Sequence, residues 1–118
     1  RRHISLANSF VNKKVDLTST AATVLYTVPD ASTAIIKSIL VSEDSGNADT
    51  ITVTITDTSD AVFSLFKTKA ISANATTELL TAPLVLQQKE VLKVTAATAN
   101  RLHVVLSALE SKPREVIT

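Results

Sequence analysis

Few residues in this chain have the chemistry of a catalyst, and none is spaced to use it. Histidine is the side chain whose ordinary pKa suits proton transfer near neutral pH. There are two, His3 in the N-terminal segment and His103 within an alternating apolar stretch. Neither has an Asp or Cys near it at the spacing of a metal site or a hydrolytic triad. His103 therefore reads as a polar residue on a solvent or subunit face.

Oxygen ligands are better represented. The stretch Asp44-Ser45-Gly46-Asn47-Ala48-Asp49 combines carboxylates with a sharp turn, which is what a calcium loop needs. It lacks the distal bidentate Glu of a full loop, so it reads as an acidic hairpin turn with no metal. Asp57 and Asp60 sit three residues apart around Thr58-Ser59; at a hairpin tip nothing would exclude water or shift a pKa, and turn chemistry is the simpler reading. The serines have no flanking glycines of the kind a nucleophile elbow requires. Asn74-Ala75-Thr76 matches a glycosylation acceptor, a pattern that has meaning only in a secretory setting. The sequence thus gives no catalytic, cofactor-binding or metal-ligating residue. No enzyme, cofactor or small-molecule substrate is expected.

Composition narrows the classes further. The 118 residues suit one domain, of a size at which oligomerisation helps stability. Hydrophobic residues at 45% and charged residues at 19% describe a folded chain rather than a disordered one. A net charge of +1 with acids and bases interspersed lacks the basic stripe that nucleic acid requires, so no nucleic-acid partner is expected. Thr, Ser or Lys interrupts every apolar stretch, and no membrane partner is expected. Arg1-Arg2-His3 leads into no apolar run of the kind a signal peptide carries. Without cysteine the chain can build neither a disulfide framework nor a thiolate metal site. Its single glycine, Gly46, rules out Gly-rich phosphate loops. The four aromatics, Phe10, Tyr26, Phe63 and Phe66, mostly fall at positions compatible with a strand's core face. That argues against a ring-stacking platform for sugars or single strands.

The elements that must position these residues are strands. Thr50-Ile51-Thr52-Val53-Thr54-Ile55-Thr56 alternates strictly, which predicts Ile51, Val53 and Ile55 on a core face and the threonines opposite. Further strands are predicted over 11–17, an edge guarded by Lys13 and Lys14, and over 23–28, 61–67, 76–80, 84–86, 91–95 and 102–109. The stretch 34–42 reads as a central strand, with Ile35, Ile39 and Val41 on one face and Ile36 and Leu40 on the other. About eight strands at near-regular spacing predict an all-β chain: an antiparallel β-sandwich, jelly-roll-like. The segmentation that follows is an N-terminal arm (1–9), a sandwich (10–110) and a C-terminal tail (111–118). Both ends are polar, which fits either disordered tails that fray in a monomer or arms that order across neighbours in an assembly. On the second reading Val116 and Ile117 are buried only when a partner is present.

Over 10–110 the chain resembles small β-sandwich structural proteins of tailed bacteriophages. The resemblance lies in Leu25-Tyr26-Thr27-Val28-Pro29, then Ile36-Lys37-Ser38-Ile39-Leu40-Val41, and an acidic Gly-Asn turn before Ile51-Thr52-Val53-Thr54-Ile55. It continues through Leu84-Val85-Leu86, Leu92-Lys93-Val94-Thr95, and a closing segment from Leu102 to Glu110 that includes Ser107. Such proteins often carry Gly-Asp before the penultimate strand, where this chain has Lys89-Glu90. The resemblance implies a virion component without enzymatic activity: a capsid decoration or cement protein, or a neck, tail or fibre part. The partners it implies are other virion structural proteins, with homo-oligomerisation. The alternative is a receptor- or glycan-binding module of a tail fibre or baseplate, which would need an aromatic-lined groove.

Overall fold

The computed structural model describes the backbone of residues 2–117 and the side chains of residues 7–113. Nine strands follow one another: β1 (Arg2–Asp16), β2 (Thr23–Thr27), β3 (Thr33–Glu43), β4 (Asp49–Thr56), β5 (Val62–Ile71), β6 (Thr76–Glu78), β7 (Leu84–Leu86), β8 (Val91–Ala96) and β9 (Leu102–Ile117). No helix occurs among the described residues. About a third of the chain is β-branched Thr, Val or Ile, and their stiff side chains suit a pleated surface.

The strands form two sheets. One runs β1-β9-β3-β6, with β7 also pairing β3; the other runs β2-β8-β4-β5, and every pairing is antiparallel. Most consecutive strands change sheet, so the chain winds around a shared core in the manner of a jelly roll. This is the sandwich expected from the spacing of the strands. The short β6 and β7 act as one interrupted edge, pairing the two halves of β3.

Between the sheets lie Leu17, Tyr26, Ile36, Ile39, Ile51, Val53, Leu86, Leu92, Leu102 and Leu106, all essentially inaccessible. Ile51 and Val53 face this core as the alternation predicts. Ile55, near the end of β4, packs against it only partly.

The expected division of β3 into faces is corrected. Ala34 and Ile36 point inward, but so do Ile39 and Val41, while Leu40 is exposed and Ile35 only partly covered. Strict alternation cannot put residues 36 and 39 on one face. A bulge between Ile36 and Ser38, where Lys37 is the extra residue against β9, shifts the phase by one. Two aromatics are also corrected: Phe10 is 85% exposed and Phe63 55% exposed. Tyr26 alone is buried among the described aromatics, with Phe66 packed on the core's margin.

Candidate functional site

His103 stands on the outer face of the first sheet, opposite Asp16 of β1. Its Nε2 lies 3.2 Å from Asp16 Oδ1 and its Nδ1 3.5 Å from Asp44 Oδ2. The fold thus brings together a histidine and two carboxylates 87 and 59 positions away, a proximity that no local spacing could reveal. Ser42 is the next residue in register across β3, so Asp16, His103 and Ser42 form a row. Each ring nitrogen already faces a carboxylate, which leaves none to take a proton from the serine. The two carboxylates approach opposite sides of the ring and do not converge on one point, as metal ligands would. What the cluster does is tie the end of β1 to the loop after β3. Beside it lies an open depression of about 270 Å³ lined by Lys14, Val15, Val104 and Val105.

The acidic loop is organised from within. Glu43, just before it, is buried, and its carboxylate accepts hydrogen bonds from the backbone N–H groups of Ser45 (2.7 Å), Gly46 (3.0 Å) and Asn74 (3.1 Å) and from the Ser45 hydroxyl. Burial pushes its pKa up, but these donors together outweigh that and hold the carboxyl at about 2. Gly46, at φ 82°, lets the chain turn tightly around the carboxylate. Asp49 accepts from the Thr98 N–H at 3.1 Å. The loop's acids therefore point three ways: Glu43 inward, Asp44 to His103, Asp49 to the loop after β8. Sequence reasoning centred on Asp44 and Asp49 and passed over Glu43, whose role depends on Asn74 from a distant turn.

At the next hairpin, Asp57 Oδ1 accepts from the Ser59 N–H (2.9 Å), the Ser59 hydroxyl (2.8 Å) and the Ala61 N–H (3.0 Å). The Ser59 hydroxyl and the Ala61 N–H hold its carboxyl below the usual range, which corrects the expectation that nothing at this tip would shift a pKa. The turn chemistry itself is as expected. His3 lies on β1, with its side chain outside the described residues.

Two surface features remain. The first is an apolar row on the outer face of the first sheet, where Phe10 pairs Leu109, Leu109 pairs Ile35, and Ile35 pairs Val85. Phe10 and Phe63 lie on different sheets and share no face. The second is a ribbon. β1 and β9 pair without a register break from Arg2↔Ile117 to Asp16↔His103, whereas β3 accompanies β9 only as far as Ser111. Beyond that point the two termini run on together as two strands, in a molecule measuring 60 × 27 × 24 Å. The expected strands, 11–17 and 102–109, stopped short of this because the polar ends carry no alternation; they extend by pairing with each other. Val116 and Ile117 fall on this ribbon, with their side chains outside the described residues.

The fold defined by these sheets is a two-sheet antiparallel jelly roll. No protein-family profile matches the chain, and no curated protein matches it in sequence. Among solved structures, the fold is similar to that of a chain in the acid-stable capsid structure of Helicobacter pylori bacteriophage KHP30. The TM-score is 0.54 at 12% identity, over 100% of both chains. Weaker likenesses are to a chain of the Bacillus endospore appendages, disulfide-linked pili (TM-score 0.49, 10% identity, 95% of this chain and 89% of that one). Another is to a chain of the cyanophage Pam1 capsid asymmetric unit (TM-score 0.35, 16% identity, 94% and 85%).

Proposed function

We propose that this chain is a non-enzymatic structural subunit of a tailed-phage particle, a capsid decoration or cement protein that binds copies of itself and an adjacent structural protein. The observation that carries the reading is the pairing of both termini into a ribbon that leaves the sandwich. A two-stranded ribbon is marginal on its own in water, so it makes sense as a part that is covered on assembly. The end-to-end likeness to a chain of a phage capsid structure supports the same reading, as does a jelly roll whose polar clusters serve turns and strand ends rather than a catalytic arrangement. The glycan-binding alternative gains nothing from Phe10 and Phe63, which share no face.

The role is tested in purified particles of the phage that encodes the chain. Peptide mass spectrometry should find it at a fixed, multi-copy stoichiometry. A chain lacking 111–118 should keep its circular dichroism, since the buried core runs from Leu17 to Ala108, and should be incorporated poorly. Absence of the full chain from particles would end this reading. Normal incorporation of the truncated chain would remove the ribbon from it and move the attachment to the sheet faces or loops.

A further inference from the structure

We infer that the apolar row Phe10–Leu109–Ile35–Val85 is the seat for the terminal ribbon of a second copy of this chain. The inference deepens the particle-subunit reading and rests on it for its biological setting.

The row faces away from the core. Its strand neighbours Ala108, Ile36 and Leu86 are buried between the sheets, so alternation turns Leu109, Ile35 and Val85 outward. Phe10, beside the inward-packing Val11, is 85% exposed and Val85 52% exposed. The flanking rows of the register, Asn12–Ser107–Ser38 and Asn8–Ser111–Thr33, carry no charged side chain; Lys37 of the bulge stands beside them, and the Glu78 carboxylate accepts from the Ser38 hydroxyl at one end. Covering this strip would desolvate few ions, and burying apolar surface is the favourable part of association.

The ribbon supplies the matching part. Residues 2–7 pair with 112–117, and six residues of strand span roughly 20 Å at about 3.4 Å each. The row crosses from β1 to β7, three interstrand spacings, or roughly 14 Å. Among the described residues neither edge of the overhang pairs with a further strand, which leaves backbone groups open as at other unprotected strand edges. Because the β1–β9 ladder has no register break, the ribbon continues its own sheet and cannot fold back onto the row beside its root. Seat and occupant therefore exist in one chain but cannot meet in one molecule. Row-to-row packing of two copies would bury only four side chains a side, two of them already part-covered, far short of the roughly 800 Å² per partner of a stable interface. A ribbon laid over the row adds the area that is missing. The contact closes a pair where two copies exchange ribbons about a two-fold axis, and otherwise runs head-to-tail into rings or filaments.

The test uses the purified chain, sedimentation velocity and two variants. One carries Phe10→Ser and Val85→Ser, both at exposed positions; the other lacks 1–7 and 112–118. The full chain should self-associate. Each variant alone should lose that association roughly tenfold or more while keeping its circular dichroism. Mixed one to one, they should form a complex of two chains, since one retains the ribbon and the other the row. Self-association of the ribbonless chain would overturn the proposal in favour of row-to-row packing, and a mixture that stays monomeric would overturn the ribbon-to-row contact. A full chain that is monomeric at all concentrations would overturn the second copy as occupant. No phage component is present, so a monomeric chain found in particles refutes this contact and self-binding but leaves the particle role standing, and a self-associating chain absent from particles refutes the particle role alone.

Discussion

At the scale of single residues, the buried carboxylate of Glu43 fixes one end of the sandwich. Glu43 spends its carboxylate on four donors from two loops. Its carboxyl is held at about 2, against 4.5 ordinarily, so its stabilisation is complete above about pH 4.5 and is lost as pH falls through about 2. Glu78 behaves in the same sense: burial raises its pKa, but donors outweigh that and lower it overall, chiefly the Ser38 hydroxyl and then the Ile39 and Leu80 N–H groups. Replacing Glu43 by Gln turns an NH₂ group toward N–H donors. Thermal melts across pH should show a Tm for Glu43→Gln several degrees lower at pH 7, and a flatter acid limb; an unchanged curve would mean that Glu43 does not organise the loop. Tyr26 is the basic-side counterpart. Burial, and then its hydrogen bond to the Glu110 carboxylate in the other sheet, push its phenol well above 10. The raised value means a contribution that is full below pH 10 and lost as the pH climbs past it. As the sole tyrosine, its phenolate absorbance should show a single midpoint well above 10, and a midpoint near 10 would contradict the buried cross-sheet bond. Tyr26→Phe should cost about 1.5–3 kcal/mol in chemical denaturation, the net worth of a hydrogen bond to a charged group.

At the scale of elements, β3 decides how much of the sequence could be read. Its apolar content marked it correctly as a central strand, between β9 and the β6/β7 edge. Its faces were not legible, because the Lys37 bulge swaps them halfway and a bulge is set by partners, not by the strand itself. The Glu78 carboxylate fills the resulting gap between β6 and β7 by accepting from Ser38 and the Ile39 N–H. Deletion of Lys37 should therefore leave a folded sandwich, since Ile36 and Ile39 would then fall into regular alternation. Deletion of Leu40 should unfold it by turning Val41 out of the core. Circular dichroism and melting of the two deletions check this; equal damage from both would mean that the bulge is not where the phase changes. In the turn before β8, Lys89 stands at φ 65°, the left-handed region that glycine enters most easily.

At the scale of the whole molecule, the sequence determined the fold class and the place of almost every strand. Alternation with period two, β-branched residues and polar turns are local signals, and local signals survive without a partner. It also determined what could not be built: no thiolate site and no Gly-rich phosphate loop, because the residues are missing. Only the tertiary structure decided which strands pair, and the remaining features depend on that pairing. Asp16, Asp44 and His103 meet because β1, β3 and β9 are neighbours. The apolar row exists only as a register across four strands, each contributing one unremarkable side chain. The termini, polar and unpatterned, become strands by pairing with each other across the full length of the chain. A hydrophobic period records which way a side chain must face, but it carries no information about which distant backbone will stand beside it, and that choice is what made the surface.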